Sequence, residues 1–136
     1  MRKKYATYVG ILGFALGGAG PLFAADLTAL RKIELGLWDV RAKDARDGGR
    51  TMCISDPAVL TQLAHAGLSC SRFVISSTAD DVVVHYSCPA MGSGQTEIRI
   101  ETPRLVQIET QGMLRQTPFQ MRYEARRIGD CSLNKK

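Results

Sequence analysis

The sequence predicts a mainly β protein: a curved antiparallel meander of about seven strands, an open barrel or half-barrel, with one short helix and disulfide staples. Three observations carry this reading. Short runs of alternating apolar and polar residues recur along the chain, separated by turn residues. Only one stretch, after Ser55-Asp56-Pro57, has a helix start followed by apolar residues at helical spacing. All four cysteines fall among these elements, at positions 53, 70, 88 and 131.

The chain opens with Arg2-Lys3-Lys4 and an uncharged run from Tyr5 to Ala25, ending Pro21-Leu22-Phe23-Ala24-Ala25. A basic start, an apolar heart and small residues before Asp26 read as a secretory signal peptide over 1–25, cleaved after Ala24 or Ala25. Residues 26–136 then form a single disulfide-stabilised domain of roughly 110 residues. The precursor's net charge of +5 falls to about +2 without the leader's three basic residues. That removes most of the electrostatic case for nucleic acid. The expected location is periplasmic or secreted. Contact with a membrane is expected only through an uncleaved leader or weak surface attraction.

In the predicted domain, Asp26 to Leu35 places Leu27, Leu30 and Ile33 at helical spacing and reads as a short turn or the ordered start of the domain. Gly36 to Ala42 is a strand with Trp38, Val40 and Ala42 inward, and Arg50 to Ile54 returns beside it. Ser55 or Asp56 caps the helix, with Pro57 at its first position. Leu60, Leu63 and Ala64 form its apolar stripe and Gly67 its stop. His65, near its end, reads as a partly exposed residue favoured by the helix dipole.

The central feature is a hairpin. Runs 72–77 and 82–87 flank Thr78-Ala79-Asp80-Asp81, with Val82, Val84, Tyr86 and Cys88 sharing the more apolar face. Pairing these runs brings Cys70 and Cys88 nearly opposite, at a separation a disulfide can span. Four cysteines allow three pairings and spacing alone does not choose among them. The hairpin favours Cys70–Cys88, which leaves Cys53–Cys131. No close Cys-x-x-Cys spacing and no suitably spaced histidines suggest a metal, and no cofactor is expected.

Pro89 to Gly94 reads as a loop. Gln95 to Glu101 alternates, with Thr96, Ile98 and Ile100 on one side and Glu97, Arg99 and Glu101 on a solvated one. Leu105 to Thr110 is the next strand, and Gln111-Gly112 marks a turn. The last strand runs from about Thr117 to Arg127.

Gly36-Leu37-Trp38, Cys53 before a short helix, Cys70, Cys88 and the terminal Arg127-Ile128-Gly129-Asp130-Cys131 resemble a family of small exported bacterial proteins, domain of unknown function thirty-six seventeen. The resemblance covers almost all of residues 26–136. Leu35 departs from it, standing where family members often carry a proline. The resemblance implies export to the periplasm of Gram-negative bacteria and assigns no catalytic residues.

Function is less legible. No Gly-x-Ser-x-Gly elbow and no phosphate-binding loop opening a helix occur. An enzyme would require His65 and His85, or His85 and a carboxylate, to converge. The expectation is a non-enzymatic module binding a small apolar or amphipathic ligand or an envelope partner. The alternative is a structural or stress-related envelope protein without ligand. Trp38 is a candidate ligand contact at a barrel mouth, against the reading of a core anchor. Arg122, Arg126 and Arg127, in a basic C-terminal segment, are candidate contacts for an anionic surface.

Overall fold

The structure is a computed structural model and describes residues 26–44, 46 and 48–132. The expected signal peptide lies outside the described residues. Seven antiparallel strands form one open sheet: β1 (Gly36–Ala42), β2 (Arg50–Ile54), β3 (Ser71–Ser77), β4 (Asp81–Cys88), β5 (Gly92–Thr102), β6 (Leu105–Leu114) and β7 (Thr117–Gly129). Their order across the sheet is β2-β1-β7-β6-β5-β4-β3. From β3 to β7 the chain is a meander. β1 then pairs with β7, so β2 and β3 become the two outer strands. They are consecutive in the chain yet stand at opposite edges. The segment joining them must therefore cross the sheet.

That crossing segment holds a 3₁₀ helix, η2 (Pro57–His65), which packs against β4, β5 and β6. Asp56 caps it, its carboxylate accepting from the Ala58 N–H at 2.9 Å. The backbone kinks at Gln62 (φ −138°, ψ 41°), so the second half of the segment turns a different set of residues inward. The expected stripe is corrected accordingly: Leu60 and Leu63 are buried as predicted, Ala64 is half-buried, and Thr61, Gln62 and His65 are buried with them. A first 3₁₀ helix, η1 (Leu27–Lys32), is capped by Asp26, which accepts from the Leu27 N–H at 2.7 Å. It packs against β3, β4, β5 and η2.

Together the two helices cover one face of the sheet. Alternation along the strands puts Trp38, Val40, Val82, Val84, Ile98, Ile100, Val106, Ile108 and Ala125 under them, with Leu30, Ile33, Ile54, Leu60 and Leu63. Fully burying one such branched side chain contributes about 1.5–3 kcal/mol. The opposite face is open to solvent.

Two glycine-bearing stretches expected as loop and turn are strand instead. Gly94 and Gly112 are cross-strand partners within the β5–β6 ladder, the third pair from the start of β5. A Cβ on Gly112 would come within 2.1 Å of the Ser93 carbonyl oxygen, and one on Gly94 within 2.6 Å of the Tyr86 hydroxyl. Here glycine permits close approach rather than chain reversal. The β6–β7 turn falls at Arg115, which has φ 56°.

Disulfides join Cys53 to Cys131 and Cys70 to Cys88, with Cα separations of 5.5 and 4.2 Å. Cys53 immediately precedes the crossing segment and Cys70 immediately follows it. Each end of the strap is thus tied to the sheet. The bridges span 78 and 18 residues respectively. By loop entropy, replacing Cys53 and Cys131 together with serine should lower the unfolding free energy by about 4.5 kcal/mol, and replacing Cys70 and Cys88 by about 3. Denaturant unfolding without reductant measures both; the reverse order would contradict a loop-entropy origin.

Candidate functional site

The sheet curls far enough that both outer strands line one cleft. Met52 of β2 and Arg72 of β3 face it from the two edges, and η2 and the turn after it supply Val59, Leu63, Ala66 and Leu68. This seam encloses about 490 Å³, a volume in the range of small-molecule sites. Its polar groups are few. Asp56 caps η2 at 2.9 Å. The Arg72 guanidinium donates to the Ala58 carbonyl at 3.1 Å while remaining exposed. Gln62 donates to the Leu68 carbonyl at 2.8 Å and so holds the turn that forms the rear of the cleft. Apolar walls with one accessible cation suit a small amphipathic molecule carrying an acidic head.

Behind the seam lies a buried polar cluster. His65 packs against Tyr86 and Phe119, which flank the paired Gly94 and Gly112 in one cross-strand row, and the Tyr86 ring lies over Gly94. Its ring lies 5.3 Å from that of Tyr86 and 5.8 Å from that of Phe119. Nε2 is 3.0 Å from the Met91 carbonyl, which can only accept, so Nε2 carries the proton. In the neutral ring Nδ1 then accepts from the Tyr86 hydroxyl, also at 3.0 Å. Thr96 and Thr110 complete the cluster, hydroxyl to hydroxyl at 2.9 Å across β5 and β6. The expectation of a partly exposed His65 is overturned: its side chain is only 2% exposed. The kink at Gln62 turns it inward, against Tyr86 and Phe119.

His85 lies on the opposite, solvent face of β4, so the two histidines do not meet. Trp38 is completely buried, and its indole N–H donates to the Glu34 carbonyl at 3.0 Å. It anchors the core and presents no surface to a ligand in this structure, which corrects its candidacy as a contact. The three arginines do not form one basic surface. Arg122 donates twice to Asp44, at 3.0 and 3.3 Å, and this pairing raises its already high pKa. Arg126 pairs with Glu124 at 3.3 Å. Glu124 is held below the usual carboxylate range by hydrogen bonds from Gln107 first and Arg126 second. Arg127 is half-buried, donates to the Leu35 carbonyl at 2.8 Å and pairs with Asp130.

The seam residues Met52, Val59, Leu68 and Arg72 went unnoticed in the sequence. Their only signal is the apolar Val59 within, and Leu68 just after, a helix whose core stripe is already complete.

Taken together, fold and site define a small, doubly stapled, single-sheet β domain with a cleft between its free edges. Residues 33–131 match the family model described as "Protein of unknown function (DUF3617)", and the chain belongs to that family. No curated protein and no solved structure matches the chain significantly. Two disulfides fit an exported protein. Among the described residues no helix is long and apolar enough to cross a membrane, and no group of three or more metal-ligating side chains occurs.

Burial pushes the phenols of Tyr86 and Tyr123 above their ordinary value. They are the only tyrosines after position 25. The folded chain holds these protons more tightly than the unfolded chain. The resulting stabilisation is complete below the unfolded value of about 10 and is lost as pH rises through the folded values. A chain beginning at Asp26 should therefore show phenolate absorbance only above about pH 10, with stability declining over the same range. Tyr86→Phe should lower stability by about 1–3 kcal/mol at neutral pH, by leaving Nδ1 of His65 unpaired, and should make the alkaline decline shallower. Unaltered stability would show that the cluster is not coupled to folding.

Proposed function

We propose that this protein is a non-enzymatic binding module of the periplasm or the secreted fraction, and that its seam holds a small amphipathic ligand. The observation that carries the reading is the cleft between β2 and β3: about 490 Å³, lined by Met52, Val59, Leu63, Ala66 and Leu68, with Arg72 as its accessible cation and the Asp56 carboxylate turned to the Ala58 N–H. The ligand's chain packs against Met52, Val59, Leu63 and Leu68, and its acidic head pairs with Arg72. This places ligand in the gap between sheet edges rather than inside a barrel, because the helix-covered face is filled by the protein's own side chains. The filled core and the doubly stapled strap also support the alternative, an envelope protein whose role is persistence without ligand. One titration separates the two.

Dansyl-undecanoate added to the oxidised chain should give saturable, one-to-one fluorescence enhancement. Val59→Arg, a change at an exposed position, should weaken binding more than tenfold, and Arg72→Gln should weaken it severalfold, without altering the unfolding midpoint. Absence of saturable binding, or binding indifferent to both substitutions, would remove the seam reading and leave the structural one.

A further inference from the structure

The solvent face of the sheet holds a second concavity that the seam reading does not use. Four residues in register across adjacent strands form one row: His85 on β4, Gln95 on β5, Gln111 on β6 and Gln120 on β7. At about 4.8 Å between strands the row is roughly 14 Å long. All four side chains line an open groove of about 690 Å³. Met113 and Pro118, cross-strand partners on the same face, also line it. The three glutamines are exposed.

The chemistry of this lining is specific. A carboxamide presents a donor and an acceptor in one plane, which matches two neighbouring hydroxyls of a sugar ring, one accepting and one donating. Three carboxamides repeat this at the strand spacing, close to the advance of one sugar unit along an extended chain. Met113 and Pro118 offer an apolar surface to the C–H face of such a ring. No carboxylate, ammonium or guanidinium lines the groove. Acidic and basic side chains begin one row further along, at Glu97, Glu109 and Arg122. A charged ligand would therefore lose solvation here without finding a counter-charge, while a neutral one meets matched hydrogen-bonding groups. From these observations we infer that the groove is a binding site for an uncharged oligosaccharide, about three to four sugar units long.

The test is a titration of the oxidised chain with chitotetraose, cellotetraose and maltotetraose, followed by nuclear magnetic resonance of the side-chain amides. At least one sugar should shift the amide signals of Gln95, Gln111 and Gln120 together in a single saturable transition. Gln111→Ala should weaken that binding about tenfold, while dansyl-undecanoate still binds the seam as it does in the parent chain. No saturable shift with any of the three sugars at millimolar concentration would overturn the assignment. So would shifts that persist unchanged when Gln95 and Gln111 are both alanine. Both alanine positions are exposed on the strand face, and an unchanged backbone spectrum of the variant checks its folding.

Discussion

A strap tied at both ends governs this fold. The chain between Cys53 and Cys70 must pass from one edge of a seven-stranded sheet to the other, and each of those cysteines is bonded to a nearby strand end at its own edge. Cys131 lies just beyond the end of β7, and Cys88 ends β4. A flat sheet this wide would leave its edges far apart, since each added strand contributes about 4.8 Å. The short strap and its staples hold the sheet curled, with β2 and β3 facing across the seam. Closure into a barrel would need backbone pairing between these strands, and η2 occupies the space beneath them instead.

Pinned ends alone would not set the strap's position under the sheet. That is done by polar groups, which are directional where apolar contacts are not. Thr61, donating to the Ala58 carbonyl at 2.7 Å, and Gln62, donating to the Leu68 carbonyl, fix the strap's own shape, while His65 joins it to Tyr86 and the Met91 carbonyl and Arg72 of β3 donates to its Ala58 carbonyl. The Met91 carbonyl also accepts from the Arg115 N–H at 2.7 Å, so the same oxygen links the strap to the β6–β7 turn. Burying these groups is tolerable because they are paired; each left unpaired would cost about 1–3 kcal/mol. A strap displaced by one residue would part both His65 ring nitrogens from Tyr86 and Met91 at once, and this specifies one placement.

The strands, their alternation and the central hairpin were legible in the sequence because side-chain period and turn chemistry are local properties. Cys70 and Cys88 followed from them, since hairpin pairing alone brings those residues opposite. What was not legible depends on contacts distant in sequence. Gly94 and Gly112 carry a turn signal that only their facing positions, between Tyr86 and Phe119, convert into strand. His65 itself looks like an ordinary residue of a helix terminus until the kink at Gln62 turns it inward. Arg127 reads in the sequence as part of a basic patch with Arg122 and Arg126, but its guanidinium is engaged at the Leu35 carbonyl. The seam was invisible for the same reason, because β2 and β3 meet across it only after the sheet has curled.

The two concavities follow from this architecture. Curling produces the seam, whose apolar walls come from strap residues left over after the core is filled. The open face, freed from covering helices, carries ladders of polar side chains in register, and these shape the groove. Both sites depend on the strap remaining in place. Native-state hydrogen exchange, comparing the oxidised chain with its Cys53→Ser/Cys131→Ser form, tests that claim most directly. The account predicts that residues 55–69 lose protection well before the ladder of β4 to β7, as a separate opening unit. Equal protection of the strap in both forms would contradict it, because the bridge would then not be what holds the strap against the sheet.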